Sequence, residues 1–344
     1  MAYTTIKKPS DYFNTKLYTG NGSTNAITGV GFQPDWVWIK KRSATGSHCL
    51  FDAVRGNTKR LQSNTTGAET TETTAITSFD SDGFTLGSGG TANGSGTTLA
   101  SWNWLANGAG AANTDGTISS TVSANTTSGF SIVQYTGNAS AGATIGHGLG
   151  SVPKMVIVKK TNAVKDWNVY HVSMGATKGM YLNLTNAEQT HTNWNNTTPT
   201  SSVFSIGSDD QVNGSGQTYI AYCFAEKQGF SKFGSYTGND GLDGPFIYTG
   251  FKPAWVMIKK SSQTASWLVF DNKRANPFNE ITADLRPDSS QAEDTDTSYN
   301  DLDFVSNGFK VREDNGDINA SGQAYIYMVF AEEPLVGDNP ATAR

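Results

Sequence analysis

The sequence predicts an all-β protein built of three tandem, jelly-roll-like β-sandwich domains. Its 344 residues include 37 glycines, and only 16% are charged. Glycine, asparagine, serine and threonine are abundant, a composition that favours strands and turns over helices. A set of short motifs also occurs three times in the same order, which indicates one β unit repeated along the chain.

Four motifs mark each repeat. A Tyr-Thr-Gly-Asn tetrad is followed by a strand that opens with proline, then by a turn of the type Asn-Gly-Ser-Gly, and finally by an aromatic strand. The tetrads begin at Tyr18, Tyr135 and Tyr236, the proline-opened strands span 34–41, 153–160 and 253–260, and the turns begin at Asn93, Asn213 and Asn319.

The spacing of these motifs sets the expected domain boundaries. Residues 107–128 carry Ile118 and Val122 among small polar residues and are expected to form a flexible linker. Repeats 2 and 3 have almost no linker between them and are expected to pack rigidly. The predicted units are an N-terminal anchoring arm at 1–10, repeat 1 at 11–106, the linker at 107–128, repeat 2 at 129–228, repeat 3 at 229–335 and a C-terminal tail at 336–344.

The proline-opened strand is predicted to be central in each domain. In repeat 1, Trp36 and Trp38 point to one face while Val37 and Ile39 point to the other. Because both faces are apolar, both are expected to be covered by other parts of the protein. The pair of lysines that ends each of these strands is expected to reach solvent.

Charge and hydropathy exclude several classes of partner. The net charge is −5, whereas binding to nucleic acid needs a concentrated basic surface. No stretch approaches the 18 apolar residues of a membrane span, and the first residues lack the apolar run of a signal peptide. Cys49 and Cys223 are expected to be buried, reduced thiols, and the sequence predicts no cofactor.

The sequence also predicts no catalytic residue and no metal site. The four histidines, at 48, 147, 171 and 191, fall at unmatched positions in the repeats and lack the spacing of metal ligands. Acidic residues beside glycine leave calcium binding open as an alternative, with Glu313–Asp317 as the best loop. The glycine-rich run 87–96 is predicted to be a turn rather than a phosphate cradle.

One charged pair recurs and is interpreted as structural. Asp52 and Arg55 in repeat 1 correspond to Asp271 and Arg274 in repeat 3. Recurrence in two repeats favours a local pair that stabilises the fold over a catalytic role. Repeat 2 has His171 instead, so the pair is not required for the fold.

Aromatic side chains are the most abundant material for contacts with a partner. Rings in irregular segments can stack on sugars or on another subunit, although most aromatics in a β protein are core residues. Trp194 has no counterpart in the other repeats and is predicted to contact a ligand or partner. Tyr181 and Tyr299 are the other predicted contact residues.

Several longer stretches resemble a known family. They are similar to virion-associated structural proteins of tailed bacteriophages, especially marine ones. The resemblance is strong in repeat 1 and weaker in repeats 2 and 3, and it implies a virion setting but no catalytic residues. The stretches are 1–13, 17–22, 31–40, 51–56, 61–64 and 78–86.

Together these observations predict a non-enzymatic structural protein of a phage virion. The primary hypothesis is a tail-fibre-like or receptor-binding appendage that contacts host surface glycans and joins other virion proteins through the N-terminal arm. The chain is expected to form a homo-oligomer, with a trimer as the commonest arrangement for such appendages. The alternatives are a capsid decoration protein that binds the head lattice and, less favoured, a depolymerase carried by the particle.

Overall fold

The computed structural model describes residues 4–274, 279–296, 301–336 and Pro340. Strands dominate these residues, which confirms the predicted all-β class. The helical elements in the described part are short. They are a 3-10 turn at Pro9–Asp11 and the one-turn helices α1 (Gly90–Asn93), α2 (Asp210–Asn213) and α3 (Gly316–Asn319).

The strands follow one plan in the three repeats. Repeat 1 contains β1 (Phe13–Thr19), β2 (Asn25–Thr28), β3 (Trp36–Lys41), β4 (Cys49–Asp52), β5 (Gly56–Leu61), β6 (Thr70–Thr71), β7 (Ile76–Asp80), β8 (Gly83–Leu86) and β9 (Thr98–Trp104). Before and within repeat 2 come β10 (Ala111–Asn113), β11 (Ser120–Asn125), β12 (Phe130–Thr136), β13 (Ala143–Gly146), β14 (Pro153–Lys160), β15 (Asn168–His171), β16 (Lys178–Tyr181), β17 (Gln189–Thr190), β18 (Val203–Ile206) and β19 (Thr218–Ala225). Repeat 3 contains β20 (Ser231–Thr237), β21 (Phe246–Tyr248), β22 (Phe251–Lys260), β23 (Trp267–Asp271), β24 (Leu302–Val305), β25 (Gly308–Val311) and β26 (Ala324–Pro334).

Each repeat has a large and a small antiparallel sheet. In the large sheet the last strand of the repeat (β9, β19 or β26) lies between its first strand and its proline-opened strand. The small sheets have the orders β2-β8-β7, β13-β18 and β21-β25-β24. The two sheets of each repeat enclose an apolar core of their own, a β-sandwich-like arrangement.

The outer faces of the three large sheets meet in one shared core. Trp36, Met155 and Trp255 hold the same position in their sheets, and all three lie in a single apolar cluster with at most 1% of each residue exposed. The prediction that the proline-opened strand is covered on both faces is therefore confirmed, and the second cover is the neighbouring repeats. The repeats form one body around this core, rather than separate domains strung along the chain.

Equivalent hydrogen bonds join the repeats in a closed ring. A main-chain N–H of repeat 1 donates to repeat 2, one of repeat 2 donates to repeat 3, and one of repeat 3 donates back to repeat 1. At one matched position, an aromatic side-chain N–H of each repeat donates in the opposite direction, to the repeat before it. The main-chain bonds are Glu69 N to Thr161 O (2.7 Å), Glu188 N to Ser261 O (2.8 Å) and Glu293 N to Arg42 O (2.9 Å), and the ring bonds are Trp167 Nε1 to Gln62 O, Trp267 Nε1 to Tyr181 O and His48 Nε2 to Arg286 O, each 2.9 Å.

The first lysine of each strand-ending pair is buried, so the expectation that these side chains reach solvent is wrong. Lys40, Lys159 and Lys259 are 0% exposed. Their ammonium groups lie between repeats, where carbonyl oxygens of the preceding repeat in the ring replace water as hydrogen-bond partners. Lys159 Nζ donates to Thr66 O at 3.1 Å, and Lys259 Nζ donates to Thr185 O at 3.2 Å.

Residues 107–128 belong to the sheet of repeat 2, which corrects their interpretation as a flexible linker. Strand β11 pairs along its whole length with β12, and β10 pairs with β11. The two larger apolar residues of the segment, Ile118 and Val122, lie in the core of repeat 2. A composition of small polar residues therefore does not preclude a strand where an open sheet edge supplies main-chain partners.

The described part of the N-terminal arm packs on the body. Ile6 is 1% exposed in the shared core, and Pro9 is buried as well. Ile6 and Pro9 therefore hold this part of the arm against the body, because burial of an aliphatic side chain favours the packed position, and its contact with other virion proteins stays a prediction. Deletion of the arm would remove core contacts as well as any contact with a particle.

The repeat motifs stabilise the turn between the two sheets. The Tyr18 hydroxyl donates to Ala92 O at 2.8 Å, and the buried Asn93 side chain accepts the main-chain N–H of Asn21 at 3.0 Å. Gly20 is required here, since a Cβ at this position would lie 2.2 Å from Gly94 O. The other two repeats make the same bonds from Tyr135, Asn213, Tyr236 and Asn319.

Candidate functional site

The three predicted contact residues lie in different environments. Trp194 is 2% exposed in the core of repeat 2, with its ring edge-on to Tyr170 at 5.8 Å. Trp194 therefore lies inside the sandwich rather than at the surface, because the indole buries its large apolar area in the nearby core, and its contact with a ligand or partner stays a prediction. Tyr181 is half-buried at the end of β16, and Tyr299 lies outside the described residues.

Tyr181 and Trp194 nevertheless share a cluster with two residues that the sequence did not single out as contacts. We call Tyr181, His191, Trp194 and Gln211 the repeat-2 polar cluster. The rings of Tyr181 and His191 are 5.2 Å apart, and Gln211 Nε2 donates to the Tyr181 hydroxyl at 3.3 Å. Gly179 borders the cluster, since a Cβ there would lie 3.3 Å from Trp194 Nε1 and 3.4 Å from His191 Cγ.

Three polar atoms of the repeat-2 polar cluster are buried without a hydrogen-bond partner. They are Trp194 Nε1, His191 Nε2 and Gln211 Oε1. A buried polar group left unbonded costs about 1–3 kcal/mol. The cluster therefore contains three hydrogen-bonding atoms that the described protein groups leave unused.

The repeat-2 polar cluster is electrically neutral at pH 7. Burial lowers the pKa of His191 and outweighs the opposing effect of Asp209. Burial also raises the pKa of Tyr181, so the phenol keeps its proton. Neutral donors and acceptors suit an uncharged polar ligand better than a phosphate or carboxylate, which would call for a cation.

Repeat 1 fills the corresponding place with charged side chains. The pairing of β5 with β6 and of β16 with β17 puts Arg60 where repeat 2 has Gly179, and Glu72 where it has His191. Arg60 Nη1 lies 2.5 Å from Glu72 Oε2. An ion pair therefore holds in repeat 1 the two positions that a glycine and a neutral histidine hold in repeat 2.

A concave region lies between the N-terminal arm and repeat 3. It is a groove of about 370 Å³ with side chains of both charges. Glu332 bonds Lys252 at 2.7 Å, so part of its charge is already neutralised within the protein. The groove is lined by Lys7, Lys8, Pro9, Ser10, Asn14, Lys273, Glu332 and Glu333.

The other candidate residues have structural environments. Among the described residues, no group of three or more His, Cys, Asp or Glu side chains is placed to hold a metal ion. His48, His147 and His171 are buried and hydrogen-bonded to main-chain atoms, and both cysteines are buried free thiols. In the same part of the chain, no helix is long and apolar enough to cross a membrane.

Comparison with known proteins assigns the chain to a family without assigning an activity. The model of a domain of unknown function, DUF7483, matches residues 8–334. The chain belongs to the DUF7483 family. This match includes all three repeats, in keeping with one body around a shared core. No curated protein and no solved structure matches the chain.

Sequence reasoning missed His191 and Gln211 for an identifiable reason. His191 stands three residues before Trp194, but a lone histidine in a loop is usually solvated. Gln211 lies about 20 residues farther along, in the turn that precedes the last strand of repeat 2. The signal that could have found them is Gly179. Among the three repeats, only repeat 2 has a glycine at the position that Arg60 holds in repeat 1.

Proposed function

We propose that this chain is a non-enzymatic structural protein of a phage particle, a tail-fibre-like appendage that binds host surface glycans through the repeat-2 polar cluster. The observation that carries the glycan assignment is the set of unbonded buried atoms beside the half-buried ring of Tyr181. The virion assignment rests on the resemblance of the repeat signature to phage structural proteins.

The chemistry of the cluster supports an uncharged sugar as the ligand. Sugar hydroxyls both donate and accept hydrogen bonds, which matches the free donor of Trp194 and the free acceptor of Gln211. The ring of Tyr181 offers an apolar face on which a pyranose can stack. Neutral side chains leave no fixed charge that would favour an acidic polymer.

The shared core supports a role in presenting a site rigidly. Each repeat is tied to both neighbours by main-chain and ring N–H bonds. A site built on a rigid body loses little conformational entropy when ligand binds, so weak polar contacts contribute more to affinity.

Glycan binding can be tested by placing the ion pair of repeat 1 in the repeat-2 polar cluster. The double variant Gly179→Arg/His191→Glu copies the ion pair of repeat 1 and should abolish binding to host surface polysaccharide in calorimetry, while the fold is retained. Gln211→Ala should weaken binding about tenfold, equivalent to about 1.4 kcal/mol. The matched control is Gln189→Ala, because Gln189 is an exposed glutamine on β17. If this double variant binds the polysaccharide as tightly as the wild type, the proposed site is overturned.

The virion assignment needs a separate measurement, which is cryo-electron microscopy of the particle that carries this chain. Density at the tail with repeat 2 facing outward supports a receptor-binding appendage. Density spread over the head lattice, with no glycan binding by the isolated protein, would replace the proposal with a capsid decoration protein. Absence of the chain from purified particles would overturn both.

A further inference from the structure

In the described part of the chain, the first strand of only one repeat has a neighbouring strand on its outer side. In repeat 2 that strand, β12, is covered by β11, which pairs with it antiparallel over six residues. In repeats 1 and 3 the corresponding strands, β1 and β20, are the last strands of their sheets. An uncovered edge strand presents main-chain N–H and C=O groups that can pair with another chain.

The segment that covers β12 lies along the edges of both the large and the small sheet of repeat 2. Strand β11 extends the large sheet, and the residues before it run along the edge of the small sheet. There Ile118 forms a parallel bridge with Ile145, and Ile118 N donates to Thr144 O at 3.0 Å. Ile118 and Val122, four residues apart, place their side chains in the core of repeat 2.

Among the described residues, nothing pairs with the corresponding edges of repeat 3, which carry exposed aromatic residues. Phe246 and Tyr248, on the edge strand β21 of the small sheet, are 48% and 52% exposed, while Ile247 between them is buried. On the neighbouring edge, the N–H of Phe233 donates to the exposed carboxylate of Glu226 at 3.3 Å. Lys232 lies over the Tyr248 ring at 5.9 Å, which joins the two edges into one surface.

Repeat 1 shows that exposed aromatics are not required by the fold at these positions. Ala26 and Thr28 occupy the places of Phe246 and Tyr248, as the pairing of Ile27 with Phe84 and of Ile247 with Phe309 establishes. Both are exposed, and both are small. Large exposed aromatic side chains on a sheet edge indicate a surface that another molecule covers.

We propose that the open edge of repeat 3, formed by β20 with Phe246 and Tyr248, binds an extended polypeptide segment of a partner protein. The segment pairs antiparallel with β20, as β11 pairs with β12, and sets β-branched aliphatic side chains four residues apart on the side of Ile247, as Ile118 lies beside Ile145, while its remaining side chains meet the two aromatic rings. Strand addition of this kind takes its affinity from main-chain hydrogen bonds and its specificity from side-chain pockets. The inference rests on the comparison of the three repeats and holds whether or not the partner belongs to a virion.

The covering segment itself provides the probe. A fluorescein-labelled peptide with the sequence of residues 113–125 should bind the full-length protein saturably below about 1 mM, measured by anisotropy. Hydrogen exchange of the complex should show new protection in β20. The variant Phe246→Ala/Tyr248→Thr copies repeat 1 and should weaken binding at least about tenfold. Serines in place of both aliphatic residues of the peptide should have the same effect.

The control is Val164→Thr, which replaces another exposed apolar residue, 65% accessible, away from this edge. Thermal melting of both variants should match that of the wild type. No saturable binding, or protection confined to other strands, would overturn the proposal. A dimer of the protein alone that the double variant dissociates would overturn it in favour of a second copy of the chain. Glycan binding by repeat 2 should be unchanged in the double variant, so the two proposals fail separately.

Discussion

The junction from repeat 2 to repeat 3 differs chemically from the other two junctions. From repeat 3 to repeat 1, the buried carboxylate of Asp271 accepts Arg274 Nε at 2.6 Å and Trp102 Nε1 at 2.9 Å. From repeat 1 to repeat 2, Asp52 makes the equivalent bonds with Arg55 and the Tyr222 hydroxyl, at 2.6 and 2.8 Å.

At the remaining junction a neutral histidine takes the place of the carboxylate. His171 Nδ1 accepts the N–H of Ser173 at 3.2 Å, so the proton is on Nε2, which donates to Tyr327 O at 3.1 Å. The reason lies in the neighbouring repeat, where the position of Trp102 is occupied by Met328, which has no N–H or O–H to donate. A buried carboxylate is therefore present at the two junctions where the next repeat supplies a hydrogen-bond donor. A neutral histidine is present at the junction where it does not.

The largest expected effect comes from removal of one partner of a charged junction. Asp271→Ala should lower the free energy of unfolding by about 3–5 kcal/mol, because the buried Arg274 guanidinium loses its shorter carboxylate contact and keeps only Glu293, at 3.0 Å. Urea unfolding measures this loss. The double variant Asp271→Ala/Arg274→Met should recover part of it, and an equal or larger loss in the double variant would contradict the explanation.

Making the neutral junction resemble the charged ones should also destabilise the protein. His171→Asp places a carboxylate in a turn where repeat 2 has Met174 in place of the arginine found in repeats 1 and 3. The neighbouring Met328 offers the carboxylate no hydrogen-bond donor either. We expect a loss of about 2–4 kcal/mol at pH 7, limited by the ability of the buried carboxyl to take up a proton. The control is His171→Asn, which stays neutral, and equal losses in the two variants would contradict the argument.

The same histidine should make stability depend on acid pH. Burial lowers the pKa of His171 to about 4, whereas an unfolded histidine has a pKa of about 6.5. Its contribution to stability is therefore fully present above about pH 6.5 and is lost as the pH falls toward 4, by about 3 kcal/mol in all. Unfolding measured between pH 7 and 4 should show a shallower fall for His171→Asn than for the wild type, and identical slopes would contradict this assignment.

The smallest effect concerns the buried lysines, which occur at all three junctions. Burial lowers the pKa of Lys259 to about 8, while an unfolded lysine has a pKa of about 10.4. Between these values the unfolded chain binds more protons, so stability should rise from pH 8 to 9.5 by up to about 2 kcal/mol for this lysine. Lys259→Met should remove that part of the rise, and an unchanged pH profile would contradict a shifted titration.

Several features of the fold could be predicted because they depend on local pattern. The alternation of Trp36, Val37, Trp38 and Ile39 predicted a strand covered on both faces, and the spacing of the motifs located the three repeats. The Asp–Arg pair was correctly interpreted as structural. The candidate site was predicted only in part, since Tyr181 and Trp194 were singled out, but Trp194 is buried and only its indole N–H is left unbonded.

Pattern alone misplaced residues whose environment depends on another repeat. Lys40, Lys159 and Lys259 were expected in solvent because a lysine at a strand end usually reaches water. Residues 107–128 were expected to be flexible because small polar residues form a sheet strand only where an edge is offered. In both cases the deciding partner is distant in sequence and has no local signature.

The sequence by itself determined the strands, the turns and the threefold repetition, since these follow from side-chain alternation and from turn residues a few positions apart. Only the tertiary structure decided that the repeats close into a ring, that the lysines are buried between them and that Gly179 lies beside Trp194. Local pattern sets which face of a strand is apolar. What covers that face depends on contacts between different repeats, which join residues far apart in the sequence, such as Arg42 and Glu293.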